Sequence, residues 1–454
     1  MYDPSENAAA DIAAHFHSFT NLAAHPEVGP LVITKGDGVF VEDDKGNRYL
    51  EAVSALWCAS LGFSNERLAK AGSDALRGLP YYHTFTGRSN PTVIELANKL
   101  LSVAPVPMSK VFFANSGSEA NDSAVKMIWY YHNAIGKPEK KKIIARLNAY
   151  HGVTVASASL SGLVTNHRDF DLPIANILHV DCPHYFRYAE PGESEEDFAT
   201  RLADNLEKRI LAEGPDTVAA FFAEPVMGAG GVIPPPATYF EKVQKVLAKY
   251  DVLLVADEVV CGYGRTGEMF GSTTFGMKPD ILTTAKGLSS AYAPISAVMV
   301  NEKVYAPIAR NSGTIGTFGH GFTYSGHPVS CAIALETLKI YEEDNVVGHV
   351  QSLMPQFWKA LRSYEGRKYV GEVRGVGLVA AIELYADPEN RTSFDPAVKA
   401  GARLVEIGLT QGLIVRALGD TIVFCPPLII TAEELDELFA RFERTMAIFE
   451  ETIG

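Results

Sequence analysis

Five cysteines in 454 residues, odd in number and with no C-x-x-C pair among them, offer neither a disulfide framework nor a cysteine-held zinc. A reducing compartment is expected. No uninterrupted apolar run approaches the roughly 18 residues that cross a bilayer, so a helical membrane span is not expected. The first Lys or Arg is Lys35, behind Asp3, Glu6 and Asp11, and the basic opening of a signal peptide is missing. The expectation is a cytoplasmic protein with no membrane partner. Positive charge is scarce as well: 40 Lys and Arg stand against 54 Asp and Glu, a net charge of −14, without any basic cluster. Holding a phosphate backbone needs grouped cations that release counterions, so nucleic acid is excluded as a partner. Internal repeats, low-complexity tracts and Pro- or Gly-rich linkers are also absent.

What is present describes a soluble globular chain. Hydrophobic residues make up 47% and charged residues 21%, which rules out disorder. The length is ample for well-buried cores without a metal or disulfide staple. Between about 105 and 330 short β-rich runs alternate with helical stretches, the signature of a parallel sheet covered by helices. The runs are Val111–Ala114, Lys142–Arg146, Val218–Ala223, Val252–Ala256, Ile281–Thr284 and Ser296–Val300, with a helical period such as Phe240, Val243, Leu247 and Tyr250 between two of them. Val39–Val41 and Arg48–Leu50 flank Asp44-Lys45-Gly46-Asn47 and read as a hairpin. Beyond 327 a long apolar helix (Val329, Ile333, Leu335, Leu338, Ile340) leads to a last helix opened by the capping box Thr431-x-x-Glu434, with Leu435, Leu438, Phe439, Phe442 and Met446 on one face. The predicted class is α/β: a large domain over 60–330 with a mostly parallel sheet, and a smaller α+β domain built from both chain ends, 1–59 and 331–454.

Three segments carry chemistry. Asn115-Ser116-Gly117-Ser118-Glu119-Ala120-Asn121 follows a strand and opens a helix, where converging N–H groups and the helix dipole suit a phosphate or carboxylate; an ordinary Ser-capped helix would look the same. Val252–Val259 is an apolar strand ending in Asp257 and Glu258, and acids at the carboxyl ends of parallel strands face the ligand crevice. For either acid a capping or solvated side chain is the plainer reading, and Glu258, which alternates to the opposite face, keeps it. Ile281–Leu288 ends its strand in Lys286 before a glycine. A lysine there is either a nucleophilic amine with a depressed pKa, able to form a Schiff base, or a snorkelling edge residue.

Phosphate cradle, strand-end acid and strand-end amine, in that order on one sheet, are the set that pyridoxal 5'-phosphate needs. With them the chain resembles the class III (omega) aminotransferases, which are fold type I pyridoxal-phosphate enzymes. The resemblance rests on Asn115–Ala120, Tyr150-His151-Gly152, Glu224-Pro225-Val226, Asp257-Glu258-Val259, Gly262-x-Gly264-Arg265-Thr266-Gly267, Pro279-Asp280-Ile281, Lys286-Gly287, Thr323-Tyr324-x-Gly326-His327-Pro328 and Pro426-Pro427-Leu428. It implies that Lys286 holds the cofactor and then shuttles the substrate proton, and that Asp257 bonds the pyridine nitrogen. Ser116, Gly117 and Ser118 would take the phosphate. Tyr150 would stack on the ring, Val259 would pack on its other face, and His151 and Glu224 would lie near the site. Thr323 would reach the phosphate of a neighbouring subunit, which implies a homodimer, or a dimer of such dimers, with sites at the interface.

Other residues draw plainer readings. His151 and His327 flank turns and read as turn hydrogen-bonders rather than catalysts. Gly228-Ala229-Gly230-Gly231 reads as a loop, so no dinucleotide fingerprint is met. Cys261 reads as a small packed thiol.

Substrate choice turns on an arginine. Ornithine-type members carry one just before the Pro-Pro-Leu turn, where this chain has Val423. Arg416 resembles instead the mobile arginine of the amine and ω-amino acid:pyruvate transaminases, the alternative being a surface loop position. Trp57, Phe85, Arg88 and Tyr150 match that subgroup's aromatic lining. The implied reaction moves an amino group from an amine or ω-amino acid to pyruvate or a similar keto acid, in ping-pong fashion. β-Alanine:pyruvate or taurine:pyruvate transamination is a sibling reading, and an aminomutase or decarboxylase on the same scaffold is the remoter one. No metal is expected in the site.

Overall fold

The structure, a computed structural model, describes residues 5–453. The predicted hairpin forms with β2 (Phe40–Asp43) against β3 (Arg48–Glu51), and the chain adds an unpredicted strand, β1 (Ile33–Asp37), antiparallel on its outer edge. Asp43 pins the turn by accepting from the N–H groups of Lys45 and Asn47 at 2.9 and 2.8 Å.

Seven strands make the central sheet: β4 (Lys110–Ala114), β5 (Lys142–Arg146), β6 (Ile177–Val180), β7 (Val218–Ala223), β8 (Leu253–Asp257), β9 (Ile281–Thr284) and β10 (Ser296–Val300), in the order β4-β10-β9-β8-β7-β5-β6. Six run parallel, and β10 lies antiparallel between β4 and β9. The sheet is thus mostly parallel, as expected, although the sequence reading missed β6. Successive residues serve opposite faces. Phe222 and Val255 pack with Ala120, Ala124 and Ile128 of the helix Gly117–Ala134, whereas Phe221 and Leu254 pack with Phe240 and Leu247 of the helix Tyr239–Lys249. Burial on both faces explains why these strands read as continuous apolar runs.

The third sheet is antiparallel, in the order β11-β12-β15-β14, from β11 (Val370–Val376), β12 (Val379–Leu384), β14 (Arg416–Leu418) and β15 (Thr421–Phe424). The remaining strand, β13 (Leu413–Ile414), joins β3 in parallel, so the two chain ends share one sheet. The last helix, Ala432–Thr452, carries both halves of its capping box and buries the five predicted apolar residues. Among the described residues no helix is long and apolar enough to cross a membrane.

Of the capping and solvated readings of Glu258, the structure takes the capping one. Glu258 is fully buried, and its carboxylate accepts from the N–H groups of Gly271 and Ser272, at 3.0 and 2.5 Å, where a short helix begins. Burial raises its pKa to about 7. The alternation argument was right about the face; on a sheet covered on both sides the opposite face is protein rather than water.

Candidate active site

At the carboxyl ends of the central strands lies a cavity of about 340 Å³, lined by Ser116, Gly117, Ser118, Tyr150, His151, Glu224, Asp257, Val259 and Lys286 among others. These residues arrive from the ends of five strands, β4, β5, β7, β8 and β9, which is why positions scattered over the sequence converge here.

Asp257 is the last residue of β8 and is buried. Its Oδ2 accepts from Nδ1 of His151 and from Nδ2 of Asn121, both at 2.8 Å, and its Oδ1 accepts from the Val259 N–H at 3.1 Å. His151 is therefore no mere turn hydrogen-bonder. Its buried ring serves the strand-end carboxylate, and with Nδ1 donating, Nε2 has no partner among the described residues. Asn121 escaped the sequence reading. Its amide oxygen accepts from the Thr283 hydroxyl at 2.8 Å, and its amide nitrogen also donates to the His151 carbonyl at 2.6 Å. An asparagine on the buried face of an otherwise Ala- and Ile-lined helix was the available signal, since buried amides need designated partners.

Lys286 follows β9 by two residues, in the left-handed region with φ of 45°. A non-glycine residue there costs about 1–2 kcal/mol, and the effect is to turn the lysine out of the sheet line at the cavity wall. Burial pushes its amine below the usual lysine range, against the opposing pull of Asp257, Cys58 and Glu224. A lowered pKa favours the neutral, nucleophilic amine over a snorkelling cation.

Gly117 and Ser118 are the first residues of an 18-residue helix, so their N–H groups have no intrahelical acceptor. Ser116 caps the helix by accepting from the Glu119 N–H at 3.2 Å, and the Glu119 carboxylate returns to the Asn115 N–H at 2.7 Å. A Cβ on Gly117 would stand 3.1 and 3.2 Å from the Val259 methyls, so the cradle is narrow. Gly152 closes it from the other side: with φ of 137°, an added Cβ would lie 2.5 Å from Ser118 Oγ and 2.8 Å from Ser118 Cα. Gly152→Ala is accordingly expected to destabilise the apoprotein by about 1–3 kcal/mol through overpacking, read as a lowered urea midpoint. An unchanged midpoint would show that the turn can relax.

Glu224, also buried, joins two walls by accepting from the N–H groups of Tyr150 and Gly228, at 3.1 and 2.9 Å. Burial raises its pKa. Gly228 sits in the predicted loop and provides a flat seat for Trp57, since a Cβ there would come within 2.6 Å of the indole. Cys261 is a buried, packed thiol, as expected.

Arg416 opens β14 instead of lying on a surface loop, and it pairs directly across from Val423 on β15. Cross-strand partners present neighbouring side chains on one face, so Arg416 occupies the region that an arginine at 423 would reach. Its guanidinium stands 5.6 Å from the Trp57 ring centroid and makes no ion pair among the described residues. Burial lowers its pKa, and Tyr150 is the charge-bearing neighbour that opposes this.

Phe85, Arg88 and Thr323 are not among the residues that line this chain's own cavity. All three are exposed. Phe85 packs near Gly321, Arg88 donates to Thr86 Oγ1 at 2.5 Å, and the Thr323 carbonyl accepts from the Tyr81 hydroxyl at 2.8 Å. Linear spacing does not say which subunit's cavity a side chain enters. His327 hydrogen-bonds the turn through its backbone, its N–H donating to the Tyr324 carbonyl at 3.1 Å, and caps the helix Pro328–Glu343 without a side-chain bond.

A sequence model of the aminotransferase class-III family matches residues 22–446. The chain belongs to that family. This class III aminotransferase is 51% identical over 429 residues, 94% of its own chain and 83% of the relative's, to gamma-aminobutyrate transaminase 1, mitochondrial, of Oryza sativa subsp. indica. The solved omega transaminase from Pseudomonas jessenii in complex with PMP is 52% identical, with a TM-score of 0.98 and 99% of each chain covered. A thermostable omega transaminase variant, altered at one tryptophan, one phenylalanine and one arginine and engineered for asymmetric synthesis of enantiopure bulky amines, is 51% identical, with a TM-score of 0.98 over 99% of this chain and 100% of that one. The fold is that of the fold type I pyridoxal-phosphate enzymes, and the activity is a pyridoxal-phosphate-dependent transamination. The cavity fits that cofactor: helix N–H groups for a phosphate, a buried carboxylate for a ring nitrogen and a buried amine, its pKa lowered by burial, for a carbonyl.

Proposed function

We propose that this aminotransferase takes amino groups from amines or ω-amino acids and passes them to pyruvate or a similar keto acid. The observation that carries the reading is Arg416, half-buried over Trp57 with no acidic partner, opposite Val423. A guanidinium with no ion pair among the described residues and Tyr150 of the cavity wall as its electrostatic neighbour suits a substrate carboxylate. The aromatic wall suits an apolar amine by removing its surface from water, at roughly 25 cal/mol per Å². Trp57, Phe85 and Arg416 are the three residue types altered in the bulky-amine variant, in the same order and with the same spacing along the chain.

When bound, pyridoxal phosphate supplies a sink for the electron pair left at the substrate Cα. Gly117 and Ser118 hold its phosphate through their N–H groups, behind the turn that Ser116 caps. Tyr150 and Val259 confine the ring. Asp257 keeps a proton on the ring nitrogen, and His151 and Asn121 hold that carboxylate in place. Lys286 anchors the cofactor between turnovers. As a free amine, it would be the base that takes the proton from the substrate Cα and holds it for return. Glu224 fixes Tyr150 and, through Gly228, the seat of Trp57. The amine's carbonyl product leaves before the keto acid enters the same site.

The working unit in this reading is a homodimer. Supporting it, Tyr81, Tyr82, Phe85 and Tyr324 are exposed aromatic residues, 39%, 43%, 43% and 58% accessible, with Tyr81 edge-on to Tyr324, and grouped exposed apolar surface marks interaction sites. A groove of about 810 Å³ beside Tyr324 shares Asn115, Ala293 and Pro294 with the cavity wall, so a subunit seated there would reach the site with residues such as Thr323, Phe85 and Arg88. The reading keeps a reducing, cytoplasmic setting, supported by five unpaired cysteines.

Arg416→Ala tests the assignment. Loss of the guanidinium should slow the pyruvate half-reaction, and that of an ω-amino acid, by about tenfold or more, for roughly 1.5–3 kcal/mol of charge-assisted contact. Deamination of a neutral arylalkyl amine should barely change. Single-turnover half-reactions measure each separately. Equal losses for amine and pyruvate would make Arg416 structural, and unchanged pyruvate kinetics would assign the carboxylate to another residue.

A further inference from the structure

The N-terminal segment carries chemistry that transamination does not use. The helix Glu6–Ala14 buries Ala8 alone, and after it the chain doubles back to His25, the first residue of a short helix. That turn gathers three imidazoles around one carboxylate. Asp11 Oδ1 lies 3.0 Å from Nδ1 of His15, while Oδ2 lies 2.5 Å from Nε2 of His17 and 3.5 Å from Nε2 of His25. The ligand atoms of Asp11, His15 and His17 all fall within 4.8 Å of one another. The rings stand in a row, His15 to His17 and His17 to His25, with centroids 4.2 Å apart at each step.

Hydrogen bonding alone leaves this arrangement incomplete. Asp11 accepts from His15 and His17, yet Nε2 of His25 has no hydrogen-bond partner among the described residues although its side chain is only 11% exposed. Charging the rings would set cations 4.2 Å apart, sharing one acid.

We propose that Asp11, His15 and His17, with His25 beside them, form a binding site for one divalent transition-metal ion of the zinc, nickel and copper class, with water completing the shell. Zinc bonds of about 2.0–2.1 Å at tetrahedral angles place ligand atoms roughly 3.3 Å apart. The contacts around Asp11, from 2.5 to 3.5 Å, bracket that spacing. Imidazole nitrogens with a single carboxylate select these ions over calcium and magnesium, which take all-oxygen shells. His17 and His25 also line a cavity of about 400 Å³ with Thr20 and Asn21, which gives the ion a way in. On binding, metal–nitrogen bonds replace the N–H groups of His15 and His17, and their protons pass to water. The ion clips the helix to the segment that follows it and leaves the catalytic cavity untouched.

The test uses holoenzyme carrying no affinity tag, chelator-treated, incubated with zinc alone, desalted and assayed for metal. Wild type should retain one zinc per chain, and Asp11→Ala/His17→Ala and His15→Ala/His25→Ala should both fall to background. The volume-conserving His17→Gln should weaken retention with cofactor absorbance and transamination rate unchanged, which separates a lost ligand from a lost fold. Cobalt(II) in zinc's place should give the strong visible bands of a four-coordinate ion. A wild type that retains no zinc, or variants that retain as much as it does, would overturn the site.

Discussion

Lys286→Ala should bind pyridoxal phosphate without a covalent link and lose transamination by at least about 10³-fold, because anchoring and proton transfer depend on one amine. General base catalysis alone contributes roughly 10²–10⁴-fold. The variant should fold, since alanine removes a side chain that lines a cavity and leaves no hole in a core. Its backbone keeps the φ of 45° found at Lys286, a conformation that alanine tolerates no worse than lysine does. Borohydride treatment of wild type followed by peptide mapping identifies the anchored lysine directly. A reduced cofactor adduct on any other lysine would end the assignment.

Asp257→Asn should leave the fold intact and slow single-turnover deamination by at least about tenfold. The substitution keeps the shape and removes the charge, and one charge-assisted bond to the ring nitrogen is worth roughly 1.5–3 kcal/mol. The surroundings make the exchange harder than shape suggests. His151, Asn121 and Val259 all donate to this carboxylate, so an amide NH2 must oppose a donor whichever way it turns. Wild-type single-turnover rates in the variant would refute the role. Thermal unfolding of the apoprotein separates that electronic loss from the local mismatch.

Much of this was legible in the sequence, for identifiable reasons. β8 and β9 are buried on both faces and read as apolar runs, so the charges at their ends, Asp257 and Lys286, stood out against them. Asn121 did not stand out: its role depends on Thr283, distant in sequence, and on a helix face that became visible only once packed against β9. The opposition of Arg416 and Val423 was within reach, because the residues between β14 and β15 are Gly419 and Asp420, a two-residue hairpin turn that fixes the register. Glu258 was placed on the correct face, and of the two readings left open for it the capping one holds, in protein rather than in water. Spacing carries no record of which copy of the chain Phe85 and Arg88 serve, and only the family resemblance assigned Thr323 to a neighbouring subunit.

The separation of the strands into three sheets bears on how such a catalyst can change over time. The central sheet supplies Asp257, Lys286 and the helix mouth at Gly117, whereas Arg416 belongs to the C-terminal sheet and Trp57 follows the strands of the N-terminal one. The machinery that breaks the Cα–H bond and the surfaces that select its guest therefore belong to different structural units. Trp57 and Arg416 meet the reacting unit at Gly228 and Tyr150 rather than at Asp257 or Lys286, and effects at sites that share no partners tend to add. A lineage, or a protein engineer, can thus exchange one amine for another in small independent steps, with the bond-breaking apparatus inherited whole.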